Sequence, residues 1–246
     1  MHIAGAENTL RVSEGKLSHP AIFVAGGSFG VITGRLLASS ILPFWGIILM
    51  TLSMIPFVLL ARTYYEEDSF TEKACQKFQY ATSKMAPFFI IFLATFVVIV
   101  RGYMGYGIPT AWNKTTMQTV YLFVIMGIGK ALGGILSDSF GIRKVAVLST
   151  ALAIPFLCLG DNYMLVSLIG VMFFSMTMAI TLGILVSVLP RTPGLAFGFT
   201  TIGLFLGTAP IFFVKMVDQR INIAMIVVMS LVCMWILLKI LKKEEK

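Results

Sequence analysis

The sequence predicts an all-α membrane protein with eight transmembrane helices, and three observations support this fold class. First, 58% of the residues are hydrophobic, only 12% are charged and the mean hydropathy is +0.92, whereas a soluble surface needs roughly a quarter of its residues charged. Second, apolar runs of about 20 residues recur along the chain, each long enough to cross about 30 Å of hydrocarbon. Third, these runs lack the period-two alternation of a membrane β-barrel.

Glycine, proline and charged residues at the ends of the apolar runs give the boundaries of the eight predicted helices. The predicted spans are 20–39, 43–61, 86–108, 117–137, 144–160, 163–189, 194–214 and 222–238. Residues 1–19 are polar and lack the basic start and short apolar core of a signal peptide. Residues 62–85 are also polar, so we expect them to form a cytoplasmic linker between two spans and six.

The basic residues of the loops predict the orientation of the chain. The net charge of +8 does not indicate nucleic acid, because the lysines and arginines lie in short loops between apolar spans. Thirteen of them fall in the terminal segments and in alternate loops, and three, Lys114, Lys215 and Arg220, fall in the opposite loops. Under the positive-inside rule this asymmetry predicts that both ends are cytoplasmic.

The residue types of enzymatic and metal sites are not arranged for chemistry in this sequence. Cys75, Cys158 and Cys233 have no paired spacing, and two of them lie in apolar runs, so we expect packing rather than disulfides or zinc. His2 and His19 have no other metal ligands at a suitable spacing. We therefore expect no catalytic residues, no metal and no cofactor.

A motif lies in the short turn between the fourth and fifth predicted spans. It consists of Gly134, Asp138, Gly141, Arg143 and Lys144 in the order G-x3-D-x2-G-x-R-K. The glycines permit close helix packing and a tight turn, the carboxylate can accept from helix N-terminal amides, and the bases anchor a cytoplasmic face. The motif resembles the loop signature of the major facilitator superfamily of transporters. The alternative interpretation is an ordinary short basic turn.

The resemblance implies a helix numbering for the whole chain. Members of that family have twelve helices in two halves of six, so the eight spans correspond to helices five to twelve, and the first four are absent. Residues 1–19 would then hold the end of a missing helix and its loop, 20–61 the last two helices of the first half, 62–85 the central cytoplasmic loop, and 86–246 the second half. The resemblance also predicts that Asp138 faces the start of the first span, near residues 18–21.

Small residues lie at four-residue spacing in several predicted spans. Gly26, Gly30 and Gly34 share one helix face, and Gly203 and Gly207 share another. The pattern P-x9-G-x3-G occurs in the first span and again 173 residues later, as internal repeats of a transporter would produce, although chance also yields such matches. These faces allow close packing of a neighbouring helix, either as static contacts or as seams along which helices rock.

Three basic residues fall inside predicted spans, where a charge costs at least about 2.5 kcal/mol. They are Arg35, Arg101 and Lys130, and every acid of the chain lies in a loop, a tail or a helix end. The three bases are therefore expected to meet either an anionic solute or an acid from the missing helices. We expect Arg101 and Lys130 to border an anion-tolerant cavity, Arg35 to be a further solute-binding residue, and Tyr103 and Gln118 to lie near the outer approach. The alternatives are that Arg35 snorkels to the membrane surface and that Arg101 contacts backbone carbonyls.

The resemblance implies secondary transport of a small organic solute by alternating access. The chain is similar to the branch of the family that contains fosmidomycin-resistance efflux proteins in the segments around His2, Glu14–Lys16 and Phe23–Gly30. This similarity implies drug or organic-anion efflux across a cell membrane, which we expect to be a bacterial inner membrane. The expected partners are the lipid bilayer, the solute and a chain that supplies the missing helices. The alternative is a non-transporting membrane scaffold or an inactive truncated paralogue.

Overall fold

The described part of the protein consists of helices joined by turns and short irregular segments, and its β-structure is one isolated bridge between Ala81 and Leu241. The computed structural model describes residues 2–43, 45–46, 48–49, 51–52, 55–56, 77–82, 84–106, 115–160, 162–213 and 219–242. Its helices are α1 (His2–Val12), α2 (Ser18–Ala38), α3 (Pro87–Tyr106), α4 (Thr116–Phe140), α5 (Ile142–Leu159), α6 (Met164–Ser175), α7 (Thr177–Val188), α8 (Pro193–Thr208) and α9 (Gln219–Ile240). The predicted all-α class is confirmed.

Six described helical stretches are long and apolar enough to cross a membrane. They are Ser18–Ala38, Pro87–Gly105, Thr116–Phe140, Ile142–Leu159, Met164–Val188 and Arg220–Ile240. Each coincides with a predicted span to within a few residues, and α6 and α7 together form the fifth of them. The predicted span 43–61 lies largely outside the described residues, so the count of eight stays a prediction.

The predicted span 194–214 is shorter as an α-helix than the sequence suggested. Helix α8 ends at Thr208 and continues as a 3-10 turn over Ala209–Phe212. Pro210 explains the change, because it has no backbone N–H and its ring clashes with the carbonyl four residues earlier. At 1.5 Å per α-helical residue and 2.0 Å per 3-10 residue, the two pieces together extend about 32 Å, which still matches the hydrocarbon thickness.

Large apolar side chains cover the outside of the helices. Phe88 is 80% exposed, Leu165 73%, Phe205 70% and Trp235 56%. Single exposed apolar residues are common on soluble proteins, but large side chains exposed on this many apolar helices are suited to contact with lipid. The six apolar helices and this surface indicate a membrane-embedded, multi-pass protein.

Two helix pairs position the residues of interest. Helix α2 packs along α4, and α3 packs along α8, while α1 lies against α8 and α2. The face of α2 that meets its neighbours carries Ala21, Ala25, Ser28 and Ile32, which recur every three or four residues as expected for one stripe of a helix. One long apolar core runs through the bundle and includes Val97, Ile180 and Ile184.

Distant parts of the chain meet at one end of the bundle. The backbone N–H of Tyr80 donates to Ser187 Oγ at 3.0 Å, and the carbonyl of Tyr80 accepts from the N–H of Lys242 at 2.8 Å. The Tyr80 hydroxyl donates to the carbonyl of Gly15. The α1–α2 loop, the segment before α3 and the end of α9 therefore share one face, as predicted from their basic residues, and its assignment to the cytoplasm stays a prediction.

Candidate functional site

Helix α4 begins with a capping box that uses one of the predicted site residues. Thr115 Oγ1 accepts from the backbone N–H of Gln118, and Gln118 Oε1 accepts from the N–H of Thr115 at 2.8 Å. This reciprocal pair satisfies two amides that the first turn of a helix leaves without partners. The side chain of Gln118 is therefore engaged at the start of α4.

Further along α4, Lys130 is a buried base held by a neutral partner. Lys130 is only 8% exposed, and its Nζ donates to Ser28 Oγ of α2 at 2.8 Å. A protonated lysine has three N–H donors, and among the described residues Ser28 is the one hydrogen-bond partner of this ammonium. The bond joins α2 to α4 inside the apolar bundle.

Arg101 lies in α3 and is equally buried, at 6% exposure. Its Nη2 donates to Met178 Sδ of α7, and a thioether is a weak, polarisable acceptor. Two positive groups from α3 and α4 thus lie in the same low-dielectric interior, where their mutual repulsion is stronger than in water.

Arg101 and Lys130 border one small cavity, while the prediction that this cavity accepts an anion stays a prediction. Five helices contribute to its walls, and the lining residues are Arg101, Gly102, Met104, Gly105, Met126, Lys130, Leu157, Val171, Phe174, Ser175 and Leu204. Its volume is about 20 Å³, which holds about one water molecule. In this conformation the two bases therefore share a space far too small for an organic solute.

The other predicted solute-binding residues do not line that cavity. Arg35 is exposed in the last turn of α2, with its guanidinium 5.8 Å from the ring centroid of Phe123, a cation–π contact. Tyr103 is half-buried in α3, and Gln118 belongs to the capping box. The structure thus brings together two of the five predicted residues.

At the opposite end of α4, Asp138 binds the start of α2 as predicted from the motif. Its Oδ1 accepts from the N–H of Leu17 at 2.8 Å, and its Oδ2 accepts from the N–H of Ser18 at 2.9 Å. A carboxylate at this position satisfies two free amides and lies at the positive end of the helix dipole. We call this pair of hydrogen bonds the Asp138 latch.

The glycines of the motif have the geometry that the latch requires. A Cβ on Gly134 would lie 2.5 Å from the carbonyl oxygen of Leu17, so only glycine lets α4 come this close to α2. Gly141 has φ +92°, a backbone conformation that favours glycine and that permits the turn into α5. Arg143 is half-buried and Lys144 is exposed just after that turn.

The two predicted small-residue faces differ in the structure. A Cβ on Gly203 would lie 3.0 Å from Val98 Cγ1, and one on Gly207 would lie 3.1 Å from the Cα of Gly102, so α8 and α3 form a tight seam. Gly26, Gly30 and Gly34 have no described atom within 4 Å of a Cβ built on them. Within the described part of the chain, that face of α2 has no close neighbour.

Tyr80 is a functional candidate that sequence reasoning missed, because it lies within the segment 62–85 that was interpreted as a linker. Burial raises the pKa of Tyr80 to about 12, and the nearby charge of Asp138 acts in the same direction. The phenol therefore keeps its proton, with which it donates to Gly15, to a higher pH than an ordinary tyrosine. Ser28 was also missed, although a polar residue in the periodic buried stripe of α2 was a usable signal.

Comparison with protein-family models, with curated proteins and with solved structures found no match to this chain.

Proposed function

We propose that the chain forms part of a secondary transporter of major-facilitator type, which moves a small organic solute across a cell membrane by alternating access. The observation that carries the proposal is the Asp138 latch, since it lies within the motif that resembles the loop signature of that family. It ties α4 of the second half of such a transporter to α2, which corresponds to the first half.

The free energy of the two hydrogen bonds of the latch is small enough for them to break and re-form during a transport cycle. Hydrogen bonds to a charged group contribute about 1.5–3 kcal/mol each when buried, and these two are partly exposed, so a total of about 2–4 kcal/mol is reasonable. Interconverting states of proteins differ by a few kcal/mol. In the proposed cycle the latched form is closed at the Asp138 end, and release of the latch opens it.

The solute in this proposal is anionic, because the buried charges in the middle of the bundle are positive. Arg101 and Lys130 share the central cavity, and the described carboxylates, Glu7, Glu14 and Asp138, lie in or near α1, the α1–α2 loop and the end of α4. A solute carboxylate or phosphate would offer the ammonium of Lys130 a stronger acceptor than the hydroxyl of Ser28. The cavity of about 20 Å³ has to widen before such a solute enters.

Flux through proteoliposomes tests the proposal. The purified chain is reconstituted, and efflux of a panel of fluorescent organic anions is compared for the parent, Arg101→Gln, Lys130→Gln and the matched control Arg35→Gln. We expect flux in the parent and in Arg35→Gln, and a loss of at least about tenfold in the two cavity variants, since one charge-assisted hydrogen bond corresponds to about that factor. Equal flux in all four proteins would overturn the assignment of the solute site.

The second candidate is a non-transporting membrane scaffold, or an inactive paralogue of a transporter. The small volume of the cavity favours it, because a permanently packed interior needs no space for a solute. The same assay separates the two candidates, because a scaffold gives no flux above empty vesicles for any solute. A scaffold would still depend on the Asp138 latch for its stability.

A further inference from the structure

A second, larger cavity opens at the end of the bundle that carries the Asp138 latch. Its volume is about 510 Å³, within the range of small-molecule sites. Four separate segments form its walls: the α1–α2 loop, the residues before α3, the turn between α4 and α5, and the residue after Leu241. The lining residues are Glu14, Gly15, Lys16, Lys77, Gln79, Tyr80, Ser137, Asp138, Gly141, Ile142 and Lys242.

The charges of this cavity are predominantly positive. Three lysines, Lys16, Lys77 and Lys242, face two carboxylates. Glu14 Oε2 lies 3.5 Å from Lys77 Nζ and so pairs with that lysine. Asp138 keeps its charge, and each of its oxygens accepts one backbone N–H in the latch. Among the ion pairs of the described residues, none includes Lys16 or Lys242.

Contacts between neighbouring segments place the lysines around the cavity. Gly15 has φ +87°, and a Cβ there would lie 2.9 Å from Lys77 Cβ, so the segments of Lys16 and Lys77 are in direct contact. The N–H of Lys242 donates to the carbonyl of Tyr80 at 2.8 Å. The three lysines are therefore brought to the cavity by segments from three distant parts of the sequence that contact one another.

We propose that this cavity binds a phosphate-bearing anion, with Lys16 and Lys242 as its principal ligands. Lysine ammonium groups are suited to phosphate as point charges, and the amide of Gln79 adds a neutral donor on the wall. The phosphate belongs either to the headgroup of an anionic lipid or to a soluble phosphorylated molecule. The site lies apart from the cavity of Arg101 and Lys130, and its existence does not depend on transport.

Titration of the purified full-length chain in an uncharged detergent tests the proposal. Isothermal calorimetry measures binding of a short-chain phosphatidic acid and, separately, of inorganic pyrophosphate, with a short-chain diacylglycerol, which is uncharged and has no phosphate, as the comparison. The test variant is Lys16→Gln/Lys242→Gln. The matched control is Lys84→Gln/Arg191→Gln, which removes the same charge from exposed residues of the same predicted face outside the cavity lining.

The parent is expected to bind at least one of the two phosphate probes saturably. Each lysine near a phosphate surface contributes roughly fivefold in affinity, so the test variant should bind about 25-fold more weakly, while the control stays within about twofold of the parent. Binding of the lipid alone identifies a headgroup site, and binding of pyrophosphate identifies a site for soluble phosphates. Absence of saturable binding to both probes, or equal losses in the two variants, would overturn the proposal.

Discussion

Asp138→Asn is the substitution that tests the latch with the smallest change in shape. The asparagine side chain keeps one oxygen acceptor but replaces the other by an NH2 group, which cannot accept from the N–H of Leu17 or Ser18. It thus loses one of the two hydrogen bonds at 2.8 and 2.9 Å and the negative charge at the start of α2. We expect a loss of about 2 kcal/mol in the free energy of unfolding, from one charge-assisted hydrogen bond and a smaller helix-dipole contribution.

Thermal unfolding in detergent measures this loss. For a chain of this size about 1 kcal/mol corresponds to roughly 2–4 °C in Tm, so Asp138→Asn should lower Tm by about 4–8 °C. Glu7→Gln is the matched control, because it also neutralises one carboxylate but breaks only the half-exposed pair with Arg11 at 2.8 Å in α1. Such pairs contribute about 0–1 kcal/mol. Equal shifts in the two variants, or no shift in Asp138→Asn, would refute the reasoning.

Three further predictions concern the seam, the buried base and the phenol. Gly207→Ala should destabilise the protein by about 1–3 kcal/mol by overpacking, since its Cβ would overlap the backbone of Ile99. Gly198→Ala, in open space on the same helix, should not lower Tm. Similar losses in both variants would contradict close packing of α8 against α3 at Gly207. Ser28→Ala should lower the free energy of unfolding by about 1–3 kcal/mol, because it removes the described acceptor of Lys130. In a Lys130→Met background the same substitution should have little effect. An equal loss in both backgrounds would exclude the hydrogen bond as its source. The pKa of Tyr80 is about 12 in the folded state and near 10 in the unfolded state, so the folded state retains a proton that the unfolded state loses, and stability falls between about pH 10 and 12. Tyr80→Phe should lack this decrease, and its ultraviolet absorbance should lack one late-titrating tyrosinate. An unchanged titration would show that Tyr80 is not the shifted group.

The helices and the latch were predictable from the sequence because their signals are local or occur in a motif. A run of about 20 apolar residues has few alternatives to a membrane helix, so the described spans fall close to their predicted positions. Gly134, Asp138 and Gly141 occur in a fixed spacing with a definite physical role, and the structure gives each the geometry that the role requires. The cost of burying two separate charges was the reason to expect Arg101 and Lys130 at one cavity, and binding of an anion there stays a prediction.

The contacts that were not predicted depend on residues far apart in the chain. Ser28 and Lys130 are separated by 102 residues, and Tyr80 and Ser187 by 107, so spacing along the sequence carries no information about either pair. The role of Gln118 had a local signal, because Thr115-x-x-Gln118 has the pattern of a capping box. The end of α8 was likewise signalled by Pro210, although hydropathy alone extended the span beyond it.

The proposed transport cycle requires the Asp138 end of the bundle to open and close, and a distance measurement tests this motion most directly. Spin labels on cysteines at Lys16 and Ser139, both exposed beside the latch, report the separation of the start of α2 from the end of α4 in reconstituted protein. We predict two distance populations, the shorter of them dominant, with Asp138→Asn shifting the balance toward the longer. A single distance that does not change in Asp138→Asn would contradict alternating access.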